Sequence, residues 1–187
     1  MTDDGLKTAR KPPRKVTPAY LQRAAMAYLE RYASSAENLR RVLRRKVEKR
    51  CRLRGEDPSE FHEAVDEVVA KSLRTGLVDD TRYAEARVAT LRRRGGSARA
   101  IRAKLALKGI DRETIAAALD QDHDHDQVSE DPEEQAALAL ARRRRLGPFR
   151  PGEREPYRDK DLAVLARAGF SFDIARRVVD GEREDEA

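Results

Sequence analysis

A stop-and-start junction recurs three times along this chain of 187 residues. It reads Leu73-Arg74-Thr75-Gly76-Leu77-Val78-Asp79, then Leu107-Lys108-Gly109-Ile110-Asp111, then Arg167-Ala168-Gly169-Phe170-Ser171. Each time a glycine follows an apolar helical pattern, a large hydrophobe follows the glycine, and Asp or Ser comes next. Glycine supplies the left-handed turn that ends a helix, and the hydrophobe after it packs back on that helix. The Asp or Ser oxygen then accepts from the free amides of a new helix. Such repetition predicts a tandem array of short helices, an architecture that usually serves as a binding surface.

Composition agrees. The chain is 39% hydrophobic and 40% charged, with 5% aromatic residues and no Trp. That is too little bulky apolar matter for one large core, and thin cores along an elongated molecule fit better. The net charge of +6 is unevenly spread. Residues 18–119 carry 23 Lys and Arg against 14 Asp and Glu, whereas residues 120–134 carry eight acids and no Lys or Arg. A basic body with a short acidic break suggests a polyanionic partner, or a protein partner that itself carries acidic surface or DNA. The competing reading is a solvated, highly charged helical surface. A single cysteine excludes an intramolecular disulfide and a cysteine-based zinc cluster. The opening residues lack the apolar stretch of a secretory signal, and no apolar run is long enough to cross a bilayer. These features predict a soluble, cytoplasmic protein with no membrane partner.

Helix signals divide the chain. Residues 1–17 read as a disordered basic arm. Thr17-Pro18, Asp57-Pro58 and Asp131-Pro132 each pair an N-cap with proline at the first helical position. A first three-helix unit spans 18–76. Its helices run from about Pro18 to Tyr32, from Ser35 with Leu39, Val42, Leu43 and Val47 on one face, and through Phe61, Ala64, Val65, Val68, Val69 and Leu73. Residues Arg50–Asp57 read as a loop. A second unit spans 77–120, with helices near Asp79–Arg94, Ser97–Lys108 and Asp111–Asp120. An acidic linker follows over 121–131. A third unit spans 132–180, with helices near Pro132–Arg145, Asp159–Ala168 and Ser171–Asp180 and a Pro/Gly-rich loop at Gly147–Tyr157. The acidic tail, 181–187, reads as disordered. Shifting the second unit back by 62 residues lays Ile101 on Leu39, Leu105 on Leu43 and Ser97 on Ser35; advancing it by 60 lays Gly109 on Gly169 and Ile110 on Phe170. No sustained period-2 alternation occurs, so no sheet is expected.

The candidate binding residues are cations. With Leu39 at the centre of a core face, Arg40, Arg41, Arg44 and Arg45 project outward at ~100° per residue. Arg99 and Arg102 do the same in the second unit, where Lys104 and Lys108 extend the set. Arg92, Arg93 and Arg94 close one helix, and Arg142, Arg143, Arg144 and Arg145 close another. Arginine forks pair bidentately with phosphates and carboxylates, so these residues suit a polyanionic groove. The alternative for those at helix ends is complementation of the dipole, worth ~0.3–1 kcal/mol each. Mid-helix Arg40 and Arg102 favour binding.

Other chemistry is weakly signalled. His123 and His125 alternate with Asp122, Asp124 and Asp126, but no apolar anchor preorganises them, and the only other histidine is His62. A metal-dependent enzyme would rest on that linker alone. Cys51 follows Lys49 and Arg50, which would lower its pKa, yet no histidine is placed beside it as a base. Asp79 and Asp80 read as caps. Gly95-Gly96 lacks the strand before and the lysine after that a phosphate-binding loop needs. Tyr28, Tyr32 and Tyr83 belong with the small cores. No cofactor and no catalytic residue is expected.

Longer segments carry a family resemblance. LVDDTRYAEA from Leu77 to Ala86, RRGGSARAIRAKLALKGID from Arg93 to Asp111 and RAGFSFDIARRVV from Arg167 to Val179 closely resemble the bacterial RecX regulatory family. AMAYLERYASSAENLRRVL, from Ala25 to Leu43, resembles that family's opening helix pair. The resemblance covers roughly residues 20–180. It implies an all-α, elongated tandem array of three three-helix repeats, and a monomer that binds RecA–DNA filaments and inhibits ATP hydrolysis, coprotease activity and strand exchange. Its partners would be the RecA nucleoprotein filament and, more weakly, the backbone of single- or double-stranded DNA. Residues 50–57, 121–131 and 147–157 depart from the family pattern. The residue-level reading leaves a second possibility, a nucleic-acid-binding helical protein that acts without a recombinase.

Overall fold

The computed structural model describes residues 14–125 and 131–182, and every regular element in them is helical. The chain divides into two compact units, Met1–Val78 and Asp79–Ala187.

The first unit holds α1 (Pro18–Leu29), α2 (Ala36–Arg54) and α3 (His62–Arg74). Thr17 Oγ1 accepts from the Tyr20 amide and Ser35 Oγ from the Asn38 amide, each supplying about 1 kcal/mol of helix start. The α2 stripe of Leu39, Leu43, Val47 and Cys51 is fully buried against Leu21, Val65 and Val69. This stripe corrects the expected loop at Arg50–Asp57. No breaker precedes Gly55, and Cys51 continues the four-residue spacing, so the helix runs five residues further and stops at Gly55 with φ 68°. Before α3, Asp57 caps a short 3-10 turn, Pro58–Phe61. The end of the basic arm is also docked: Val16 is buried in this core, and Arg50 donates to the Arg14 carbonyl at 2.7 Å. The rest of the arm, 1–13, and residues 183–187 of the tail lie outside the described residues.

The second unit contains two cores. Ala84, Val88, Ile101, Leu105, Ile115 and Leu119 fill the one made by α4 (Asp80–Arg93), α5 (Ala98–Ala106) and α6 (Arg112–His125). Ala137, Leu140, Leu165, Phe170, Ala175 and Val178 fill the other, made by α7 (Pro132–Arg144), α8 (Arg158–Ala168) and α9 (Phe172–Asp180). The α6 helix continues through residues 121–125, which the sequence reads as linker; no Gly or Pro interrupts it there. The segment between α7 and α8 is organised by Asp161, a buried carboxylate that accepts from the Gly147 amide at 2.8 Å and from the Arg150 guanidinium.

The three junctions close much as their residues dictate. The Ile110 amide donates to the Leu105 carbonyl and the Phe170 amide to the Leu165 carbonyl, both at 3.2 Å, and Ile110 and Phe170 are buried. The first junction differs by one residue. Leu77 is exposed, and Val78 fills the core while its amide donates to the Ser72 carbonyl at 3.1 Å. Ser72, not Leu73, is likewise the buried residue at the end of α3. Tyr28 packs on the first core and accepts from Asn38, whereas Tyr32 stacks on it from outside and is 57% exposed.

Candidate binding groove

In the second unit, four helices bring their C-terminal turns to one groove of about 540 Å³. Arg94 follows the last residue of α4, Lys104 lies in the last turn of α5, Arg143 and Arg144 end α7, and Arg167 lies in the last turn of α8. All five side chains are exposed, none forms an ion pair with a described residue, and no acid among the described residues lines the groove. Leu91, Ala100, Leu140, Val164 and Ala168 form an apolar wall between them. Dipole complementation accounts for a cation at each helix end, but not for their convergence on one cavity.

The groove depends on how α4 to α6 dock against α7 to α9. Gly95 adopts φ 76°, and a side chain there would meet the Leu140 backbone at 2.6–2.7 Å. Ser97 Oγ donates to the Ala168 carbonyl at 2.6 Å while accepting from the Ala100 amide. Glu133, in the first turn of α7, accepts from the Ala98 amide and pairs with Arg92. Gly95-Gly96-Ser97 is thus a joint between two sets of helices, which agrees with its failure to match a phosphate-binding loop.

The remaining sequence-selected cations are scattered. Arg92 has a side chain only 12% exposed and pairs with Glu133 and Asp122, so it ties α4 to α7 and α6. Arg93 opens on a different cavity with Asp122 and Gln135, and Arg102 on one walled by Asp120, Asp131 and Glu133. Arg99 lies beside Gly169, Lys108 is half-buried, Arg142 sits over the Phe149 ring, and Arg145 takes the left-handed turn after α7. In the first unit Arg40 bridges Glu37 and Asp66, Arg41 pairs with Glu37, and Arg44 leans on Asp66 at 3.5 Å. Burial pushes the Glu37 carboxyl up, but hydrogen bonds from Arg40 and Arg41 outweigh it and hold the group below its ordinary value. Arg45 is exposed. Arg167 escaped the sequence reading because the 60-residue shift lays it on Leu107 and no cation run surrounds it.

Cys51 corrects the expectation of a lowered pKa. Burial, then the charges of Glu56, Glu60 and Asp57, pushes its thiol up, and it is an inert core residue. Asp79 caps α4 through the Arg82 amide at 3.0 Å. Among the described residues no group of three His, Cys, Asp or Glu is placed to hold a metal ion. The side chains of His123, Asp124 and His125, and all of Asp126, lie outside those residues.

A family model described as "RecX, second three-helix domain" matches residues 79–119. "Regulatory protein RecX" of Myxococcus xanthus (strain DK1622) is 46% identical over 172 residues, 91% of this chain and 89% of the relative. The chain belongs to the RecX family. Its RecX relative from Agrobacterium fabrum (strain C58 / ATCC 33970), also described as "Regulatory protein RecX", is 31% identical over 180 residues, 96% of this chain and 91% of the relative. The fold agrees with "Crystal structure of RecX from Lactobacillus salivarius", at a TM-score of 0.59 and 22% identity, covering 87% of this chain and 94% of that one. A second RecX crystal structure gives a TM-score of 0.61 at 22% identity, covering 88% of this chain and 72% of that one. The RecX segment matched by the family model contributes Leu91, Arg94, Gly95, Gly96, Ala100 and Lys104 to the groove. Among the described residues no helix is long and apolar enough to cross a membrane.

Proposed function

We propose that this RecX-family protein regulates homologous recombination by binding the filament that a RecA recombinase forms on DNA. Bound there, it restrains ATP turnover, coprotease activity and strand exchange. The observation that carries the reading is the groove in the second unit, where five exposed cations converge with no acid among the described lining residues. A RecA–DNA filament offers polyanionic DNA backbone and protein surface along one repeating path. Several weak contacts on one chain become effectively intramolecular once the first has formed, which favours a repeating partner over an isolated one. The proposal assigns the protein no catalysis and no cofactor, and places it in the cytoplasm as a monomer. Arg93, Arg99, Arg102, Arg142 and Arg145 of the same unit, and Arg41 and Arg45 of the first unit, are assigned a supporting electrostatic role in binding.

The test compares dye-labelled single-stranded DNA alone with the same DNA coated by the cognate RecA, as this protein is titrated in at several salt concentrations. Tighter binding to the coated strand supports the proposal. Binding to naked DNA that is as tight, with a steep salt slope and no gain from RecA, favours a nucleic-acid-binding protein acting alone.

A further inference from the structure

The groove in the second unit has two chemistries, and together they select among polyanions. Its rim is cationic, but its floor is apolar: Leu91, Ala100, Leu140 and Val164 lie between the charges. Nucleic-acid phosphate sites draw on hydroxyl, amide and backbone N–H donors besides Arg and Lys. Among the described residues no Ser, Thr, Asn, Gln or Tyr lines this groove. The backbone amides of Gly95 and Gly96 are spent on the Arg92 and Leu91 carbonyls, at 2.7 and 2.9 Å. No aromatic ring among the described lining residues is there for a base to stack on. A sugar–phosphate chain would leave the floor uncovered and find only the guanidinium and ammonium groups.

We propose that this groove takes an acidic protein segment carrying an apolar side chain, with the apolar group on the floor and the carboxylates on the rim. Charge complementarity and the floor argue for the same occupant. Arginine clusters recognise acidic motifs by bidentate pairing, and one buried hydrophobe then adds affinity that charge alone does not supply. A cavity of about 540 Å³ accepts one or two such side chains, not a folded domain. The inference rests on the regulatory reading above and narrows it: the groove holds the protein component of the filament, and DNA contacts fall to cations elsewhere.

The test is fluorescence anisotropy with the full chain at near-physiological salt. Three probes are compared: a short Glu/Asp peptide containing one Leu and one Phe, the same peptide with Ser at both apolar positions, and an oligothymidylate of equal charge. The expected result is that the Leu/Phe peptide binds at least ~10-fold more tightly than either other probe. Its binding should weaken ~10-fold or more in Arg143→Ala/Arg144→Ala and stay unchanged in Arg31→Ala, an exposed cation of the first unit. Both arginines are exposed and without a described ion-pair partner, so the double variant should keep the wild-type melting temperature. Equal affinity for the two peptides overturns the inference, because the floor then contributes nothing. Tightest binding of the oligothymidylate, lost in the double variant, also overturns it and assigns the groove to DNA. Failed peptide binding with recombinase inhibition intact sinks the groove assignment alone. Intact peptide binding without inhibition supports the groove assignment and sinks the regulatory reading alone.

Discussion

Glu133 receives the backbone N–H of Ala98 on both carboxylate oxygens, at 3.1 and 3.0 Å. Ala98 opens α5 and Glu133 lies in the first turn of α7, so one carboxylate caps a helix 35 residues earlier in the chain and also pairs with Arg92. The α4–α6 and α7–α9 cores are therefore locked through a helix N-terminus, where a negative charge is favoured. Replacing Glu133 by Ala removes the cap and leaves Arg92, 12% exposed, with Asp122 as its remaining acid. The expected cost is about 2–3 kcal/mol in urea unfolding of the second unit.

Two glycines with similar positive φ should respond differently to alanine. Gly76 has φ 70° with nothing within 4 Å of an added Cβ, whereas Gly95 has φ 76° with the Leu140 backbone at 2.6 Å. Gly76→Ala should cost only the left-handed strain, about 1 kcal/mol. Gly95→Ala adds a backbone clash at the joint and should cost at least ~3 kcal/mol. Chemical denaturation of both variants measures the difference.

Cys51 is fully buried with its thiol pKa raised by burial and by Glu56, Glu60 and Asp57. An aromatic disulfide reagent should leave the native protein unmodified near neutral pH and label it once urea opens the first unit. The sign follows from linkage: a raised thiol pKa contributes stability that is fully present below the unfolded value and is lost as pH rises through the folded one. Alkaline destabilisation should therefore shrink in Cys51→Ala.

The acid side has the opposite sign. Hydrogen bonds from Arg158 lower the Asp180 carboxyl below its ordinary 3.8, and Arg40 and Arg41 lower Glu37 below 4.5 against the pull of burial. Depressed carboxylates contribute stability that is present above their unfolded values and lost as pH falls through the folded ones. Melting temperature should be flat across neutral pH and fall below about pH 4, less steeply in Asp180→Asn.

Helix order, the capping residues and the principal core stripes were legible in the sequence because each rests on local chemistry. Ser35, Ser97 and Ser171 cap the helices they precede, and Leu39, Leu43, Ile101, Leu105 and Leu165 are buried. What local pattern could not supply was pairing across the chain. Arg40 reads as an outward cation, but Asp66 lies one helix away and holds it at 2.7 Å. Arg92 looks like its neighbours Arg93 and Arg94, yet Glu133, 41 residues on, draws it inward. The groove was half legible: Arg94, Lys104, Arg143 and Arg144 stand out in basic stretches, while Arg167 joins them only through the docking of α8.

The most direct test of the regulatory account is the single-stranded-DNA-dependent ATPase rate of the cognate RecA as this protein is titrated in. The account predicts a progressive fall in rate, with Arg94→Ala/Lys104→Ala/Arg143→Ala/Arg144→Ala requiring at least ~10-fold more protein for the same inhibition. An ATPase rate unmoved by wild-type protein that binds the DNA itself would contradict it.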